Sequence, residues 1–326
     1  MALLLSGSDP NAIGIASHSL LSSKLVVFPT ETVYGLGADA TNFEAVSRIF
    51  NVKGRPTNHP LIVHIARLEY LEHWARHISQ DAIKLADTFW PGPLTLILKQ
   101  NGMDSDLVTG GQNTIGIRIP RNQIALEMLH EFHNLGGLGV AAPSANRFGK
   151  VSPTNVKGVL QELENHLELT DIVLDGGDCE IGLESTIIDC TSEIPEILRP
   201  GAITTEIILT KTGIKVEEFD YTKGKKSEIR VSGSLESHYS PKAKVILDQD
   251  PVVGSGFIAL NNFKTPEGVI RLASPTSVED FAHTLYESMR IGDEINLAEI
   301  YVFQPLGSGI SVAIRDRLSR AAKSGE

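Results

Sequence analysis

The chain reads as an α/β protein in two units joined by a polar connector, and three observations predict it. Short apolar runs of strand length alternate with helically spaced apolar residues through the first two-thirds of the sequence. Residues 215–242 are polar, charged and poor in large apolar groups, the composition of a linker. From residue 243 a second series follows, three strands, a helix, a strand and a helix, enough to build a small core of its own. The expected division of the 326 residues is 1–214, a linker or lid over 215–242, and 243–326.

Taken in order, Asp9-Pro10 starts a helix over 11–21. A buried strand over 24–28 runs into Pro29-Thr30-Glu31-Thr32-Val33-Tyr34-Gly35-Leu36-Gly37. A strand that ends in hydroxyls, a carboxylate and glycines is a usual ligand position in α/β proteins. Thr41-Asn42 caps a helix over 43–50, followed by the basic loop Lys53-Gly54-Arg55-Pro56-Thr57-Asn58-His59-Pro60 and a strand over 61–65. Helices are expected over 68–78 and 81–89, strands over 94–98 and 114–120, and a helix over 123–133. A small-residue strand over 139–142 leads to Pro143-Ser144-Ala145-Asn146, and Ser152-Pro153-Thr154 opens a helix to about 167. Strands over 172–174 and 186–189 complete the first unit, with Arg199-Pro200-Gly201 near its end.

Composition excludes several classes. No run of about eighteen apolar residues occurs, so no membrane span is expected. The run Ala2-Leu3-Leu4-Leu5 is too short for a signal peptide and lacks a basic flank. Cys179 and Cys190 have no CxxC spacing and read as reduced thiols of a cytoplasmic protein. A net charge of −11 disfavours nucleic-acid binding by bulk electrostatics. Acids are nevertheless absent between Glu44 and Glu69, between Asp106 and Glu127, and between Glu131 and Glu162. Those windows hold Lys53, Arg55, Arg118, Arg121, Arg147 and Lys150, which would form a local cationic pocket if they converge.

Lys53 and Arg55 bracket a glycine, with Pro56 and Pro60 restricting the loop, as a phosphate grip would need. A solvated basic turn is the ordinary alternative. The loop is not a P-loop, and Gly35-Leu36-Gly37 lacks the third glycine of a dinucleotide fingerprint. His64 interrupts an apolar strand and needs a partner, either backbone or ligand. Arg118 shares a strand face with Thr114 and Gly116; its fork suits a substrate carboxylate, a phosphate or a structural carboxylate equally. Thr30, Thr32, Ser144, Asn146 and Ser185 are ordinary turn formers singly, but they recur at the ends of successive strands. His73 with His77, and His130 with His133, have metal-ligand spacing without a third ligand and read as surface histidines. There is no nucleophile elbow.

With these residues in view, the sequence resembles the threonylcarbamoyl-AMP synthase family, in its long two-domain form. The carrying motifs are PTETVYGLG (29–37), KGRPTNHPL (53–61) with His64, TIGIRIP (114–120), PSAN (143–146), ESTIID (184–189), LRPG (198–201), HYSP (238–241) and AIRDRLSRAA (313–322). The resemblance implies a YrdC-like twisted open mixed sheet with flanking helices, and a smaller C-terminal Rossmann-like α/β domain. It implies that ATP, L-threonine and bicarbonate or CO2 give threonylcarbamoyl-AMP and pyrophosphate, with Mg2+ carried on the ATP phosphates. A separate transfer machinery would then modify tRNA.

By the same resemblance, Lys53 and Arg55 are catalytic and neutralise the triphosphate, with His59 nearby. Thr32, His64, Arg118, Ala142 and Ser185 would hold L-threonine, and Arg118 would take its carboxylate. Thr114, Ser144, Asn146, Ser152 and Arg199 would line the nucleotide side, and His238 and Tyr239 would belong to a lid that excludes water. Two positions depart from the pattern: His59 replaces a common asparagine, and Glu236 falls where some archaeal relatives carry an aromatic. Two other classes compete. One is a non-catalytic RNA-binding module, for which the chain lacks interleaved aromatic and basic residues. The other is a carbamoyltransferase, whose zinc-finger cysteines are missing.

Overall fold

A computed structural model describes residues 2–102, 106–219, 229–233 and 238–323. Among these residues, eleven strands form one mixed sheet. Its spatial order is Leu3–Ser6, Ile172–Asp175, Val26–Phe28, Gly35–Asp39, Val140–Ala141, Ile62–His64, Thr114–Arg118, Leu94–Gln100, Thr186–Asp189 and Glu196–Arg199, with Ala75–Arg76 paired to Leu94–Gln100 off this path. Pairing is parallel between Ile62–His64 and Thr114–Arg118, and antiparallel between Leu94–Gln100 and Thr114–Arg118. The central strands are buried throughout; Val26–Phe28 is a continuous apolar run, while Ile62–His64 and Thr114–Arg118 also bury His64, Thr114 and Arg118.

A second sheet is wholly parallel, in the order Lys244–Leu247, Glu299–Val302, Gly256–Ile258, Ile270–Ala273. Helices Val278–Glu294 and Ile310–Ala322 cover it. Its apolar core is continuous with the first unit, because Val33, Val151 and Leu183 pack among Phe281, Leu285 and Ile314. Past Ile214 the chain remains on the first sheet, where Glu217 pairs with Glu196.

Several local expectations need correction. The helix begun by the Asn42 cap does not stop at Phe50 but runs Phe43–Lys53, ending on Gly54 in the left-handed region at φ 63°. Lys53 is therefore the last helical residue and only Arg55 belongs to the loop. The helix expected over 68–78 is broken. A short 3-10 turn and the single turn Leu71–Trp74 give way to Ala75–Arg76, whose pairing with Lys99 and Gln100 overrides helical propensity. The helix expected from Ser152 starts instead at Val156 because Asn155 caps it. Leu3–Ser6, read only as too short for a leader, is a strand paired in parallel with Ile172–Asp175.

Candidate active site

The ends of six strand-linked segments and the connector meet in a cleft of about 540 Å³, including its open mouth. Thr32, Arg55, His64, Arg118, Ala142, Ser144, Ser185, Arg199, His238 and Tyr239, all expected from sequence, line it together. Register explains part of this convergence. His64 and Arg118 are direct partners at the carboxyl ends of neighbouring parallel strands, so both side chains reach the same crevice.

On that side the polar groups are buried and incompletely satisfied. Arg118 Nη1 donates to Thr32 Oγ1 at 2.9 Å, and Nε donates to the Gly92 carbonyl at 3.2 Å. Its Nη2 stands 2.8 Å from Glu31 Oε1 as an ion pair, yet neither atom is aligned for a hydrogen bond. His64 Nδ1 is also buried without a hydrogen-bond partner, its ring edge-on to Phe28 at 6.0 Å. Burial, then the Arg118 charge, pushes His64 down to about 3, so the imidazole is neutral at physiological pH. Buried polar atoms without hydrogen bonds are costly, and their recurrence around the cleft, at Arg118 Nη2, His64 Nδ1, Arg55 Nε, His238 Nδ1 and the Tyr239 hydroxyl, marks a place built for a polar ligand. Thr30 is a turn former: its hydroxyl donates to the Val33 carbonyl at 2.7 Å and accepts from the Val33 N–H at 3.2 Å.

The opposite side is cross-linked. Ser185 Oγ is 2.8 Å from Thr95 Oγ1 and accepts from Arg199 Nη2 at 3.0 Å, while the Ser185 carbonyl accepts from Arg199 Nε at 3.0 Å. Glu184 accepts from Ser152 Oγ at 2.6 Å, from Tyr286 at 3.0 Å and from Arg317 Nε at 2.9 Å. Burial alone would raise the Glu184 carboxyl, but Arg317 and Arg199 outweigh it and hold it at about 2. Arg55 donates from Nη2 to the Pro60 carbonyl at 2.8 Å and lies over Phe148, and burial lowers it to about 10.

The connector closes this side. The Ser232 carbonyl accepts from Arg199 Nη1 at 2.9 Å, and its hydroxyl is 3.3 Å from Arg55 Nη2. Gly233, at φ 82°, lets Tyr239 approach: a Cβ there would stand 2.1 Å from the Tyr239 hydroxyl. His238 Nδ1 and the Tyr239 hydroxyl are buried without hydrogen-bond partners. Burial pushes His238 down to about 3. Ser234 and Glu236 lie outside the described residues.

The remaining candidates sit behind or beside the cleft. Lys53 donates from Nζ to the carbonyls of Ser144 (2.6 Å) and Asn146, bracing the PSAN turn; burial and then Arg55 push its amine well below the ordinary lysine value. It is thus a buried strut rather than an open cation. Asn146 donates to the carbonyls of Arg147 and Lys150, with Oδ1 buried and lacking a hydrogen-bond partner. His59 packs edge-on to Phe148. Ser152 is tied to Glu184. Thr114 lines a smaller neighbouring cavity under Val231 and Ser232, about 13 Å along its strand from Arg118. The expected cationic pocket is therefore partly neutralised: Arg55, Arg118 and Arg199 face Glu184, with Glu31 behind Arg118.

Sequence reasoning missed Glu31, Glu184 and Ser232 as site residues. The first two had a signal, an acid beside a hydroxyl in PTETVYGLG and in ESTIID, but a carboxylate argues against a phosphate site when read alone. Among the described residues no three His, Cys, Asp or Glu side chains converge to hold a metal, and no helix is long and apolar enough to cross a membrane.

Residues 18–201 match the Sua5–YciO–YrdC family (telomere recombination), and residues 193–323 match the threonylcarbamoyl-AMP synthase C-terminal domain. The chain belongs to the threonylcarbamoyl-AMP synthase family, in its two-domain Sua5 form. It is 37% identical to the threonylcarbamoyl-AMP synthase of Bacillus subtilis, over 98% of this chain and 94% of that one. It is 36% identical to that of Pyrococcus abyssi, over 95% and 94%. The structure of P. abyssi Sua5 complexed with L-threonine superposes with a TM-score of 0.88 at 34% identity, covering 99% of this chain and 98% of that one. These matches bear out the α/β architecture with its mixed sheet and second, smaller domain.

Proposed function

We propose that this chain condenses L-threonine, bicarbonate or CO2, and ATP into L-threonylcarbamoyladenylate with release of pyrophosphate, supplying the activated group for threonylcarbamoyladenosine formation in tRNA. The observation that carries the reading is the pair of buried, hydrogen-bond-deficient polar atoms Arg118 Nη2 and His64 Nδ1 on one wall of the cleft. An α-amino acid complements them. Its carboxylate suits the arginine fork, and its hydroxyl suits a neutral imidazole.

The chemistry needs no protein nucleophile. The threonine nitrogen attacks CO2, giving a carbamate and releasing one proton. A carbamate oxygen then attacks the α-phosphorus of ATP, the bond to the β-phosphate oxygen breaks, and pyrophosphate leaves. Positioning and charge stabilisation suffice. Arg55 and Arg199 are the cations that would meet the phosphates, with Ser144 beside them, and Lys53 would act by holding the Ser144–Asn146 turn. Mg2+ fits as a passenger of ATP, since Glu184 is fully hydrogen-bonded and Glu31 is paired, leaving no free carboxylate to hold it. Ser232 now occupies both phosphate-side arginines, so the connector would have to yield them when nucleotide enters and cover the labile mixed anhydride afterwards. The product would pass to a separate threonylcarbamoyl transfer machinery.

The test is pyrophosphate release from ATP by the full chain. Release is expected only when L-threonine and bicarbonate are both present. Release independent of threonine, or none under any condition, would overturn the synthase reading, and the latter outcome would favour a binding module.

A further inference from the structure

We propose that Arg317, in the second domain, is a positioning residue of the active site: it holds Glu184, and through Glu184 the Ser185 turn, in the geometry that receives L-threonine. The proposal rests on the synthase reading above.

Arg317 lies mid-helix in Ile310–Ala322 and is fully buried. Its Nε donates to Glu184 Oε2 at 2.9 Å and its Nη1 to Asp316 Oδ2 at 2.6 Å. Asp316 is held in turn by Arg320 Nε at 2.9 Å. The guanidinium also packs over the Tyr239 ring, 5.3 Å from its centroid. Glu184 thus receives the second domain through Arg317 and Tyr286, and the first through Ser152. Glu184 itself lines the cleft, and the next residue, Ser185, carries the contacts to Thr95 and Arg199. The chain of contact from the second domain to the ligand wall is one side chain and one peptide unit long.

Domain docking alone does not account for this cluster. The two domains are already joined elsewhere, by Arg290 to Glu162 at 3.4 Å and to the Val151 carbonyl, by Lys157 to Glu294, and by Asn155 to Glu287. Apolar packing adds Val33, Val151 and Leu183 to the second core. Gly182, at φ 80°, lets helix Val278–Glu294 approach so closely that a Cβ would stand 2.6 Å from the His283 carbonyl oxygen. Burying Glu184, Asp316 and Arg317 costs desolvation that apolar side chains would avoid. What the ionic cluster supplies instead is a fixed direction for the Glu184 carboxylate. A lysine ammonium could not serve two carboxylates with the same planar fork.

The experiment compares full-length Arg317→Met, Arg317→Lys and Glu162→Gln with the unaltered chain, by calorimetric titration of L-threonine and of ATP alongside thermal melting. Arg317→Met is expected to weaken L-threonine binding by about tenfold or more, and ATP binding with it, because the Ser185 turn also holds Arg199. Arg317→Lys, which keeps the charge and loses the fork, is expected to fall between. Glu162→Gln removes the counter-ion of the other cross-domain arginine and is expected to lower the melting temperature while leaving L-threonine affinity within about twofold. Equal L-threonine affinities in the Arg317 and Glu162 variants would overturn the proposal and leave Arg317 as interface packing. Should Arg317→Met fail to melt cooperatively, Arg317→Lys decides by the same criterion. Loss of threonine-dependent pyrophosphate release in the unaltered chain would refute the synthase reading, whereas the binding comparison would still judge the positioning role.

Discussion

The two walls of the cleft are built on opposite principles. The wall formed by Thr32, His64 and Arg118, with Glu31 behind it, holds buried polar atoms that the protein leaves short of hydrogen bonds. The wall formed by Glu184, Ser185 and Arg199 has these groups hydrogen-bonded among themselves and with the second domain, leaving only Arg317 Nη2 over at its back. Unsatisfied groups cost stability and are worth that cost only where a ligand completes them, whereas a satisfied network holds a shape. One wall receives and the other positions, and substitutions should separate the two.

The largest separation is expected from Arg118→Ala. Removing a buried cation aimed at substrate should lower threonine-dependent turnover by on the order of 10²–10³-fold. ATP binding, measured by direct titration, should stay within about threefold. An equal loss of both would erase the distinction between the walls.

Acid sensitivity comes next, and both sides contribute. His64 and His238 are held near pKa 3 against an ordinary value of 6.5. The unfolded chain therefore binds more protons between these values, so stability is complete above about pH 6.5 and falls as pH drops toward 3. Each histidine should contribute a slope approaching about 1.4 kcal/mol per pH unit in that window. Replacing both with glutamine should flatten the slope of unfolding free energy against pH between 6 and 4, and an unchanged slope would show that neither is held neutral.

A smaller effect is expected from Ser152→Ala. It takes one donor from Glu184 and should cost about 1–3 kcal/mol of stability, read in denaturant unfolding. Threonine affinity should change far less than in Arg118→Ala. The smallest is Lys157→Ala, an exposed cross-domain pair remote from both walls, expected to leave turnover within about twofold.

How much of this was legible depended on distance along the chain. Alternation in residues 114–118 put Arg118 on the inward face, and the strand register then brought it beside His64. The caps Asp9 and Asn42 announced their helices, and each accepts a backbone N–H of the first turn. Ala75–Arg76 was illegible because its strand exists only through Lys99 and Gln100. The partners of Lys53 were hidden, because the Ser144 and Asn146 carbonyls come from a turn that sequence cannot bring near. Glu184 and Arg317 are 133 residues apart, and nothing local to either shows that they meet. The second domain, which reads as separable, shares its core and its ion cluster with the first.

The central claim is that this cleft joins three substrates into one adenylate. Its most direct measurement is mass spectrometry of a quenched reaction containing the full chain, MgATP, L-threonine and carbon-13 bicarbonate. The expected product is threonylcarbamoyl-AMP carrying a single heavy carbon, formed in step with pyrophosphate. Only unlabelled AMP or ADP, with no labelled adenylate, would contradict the claim.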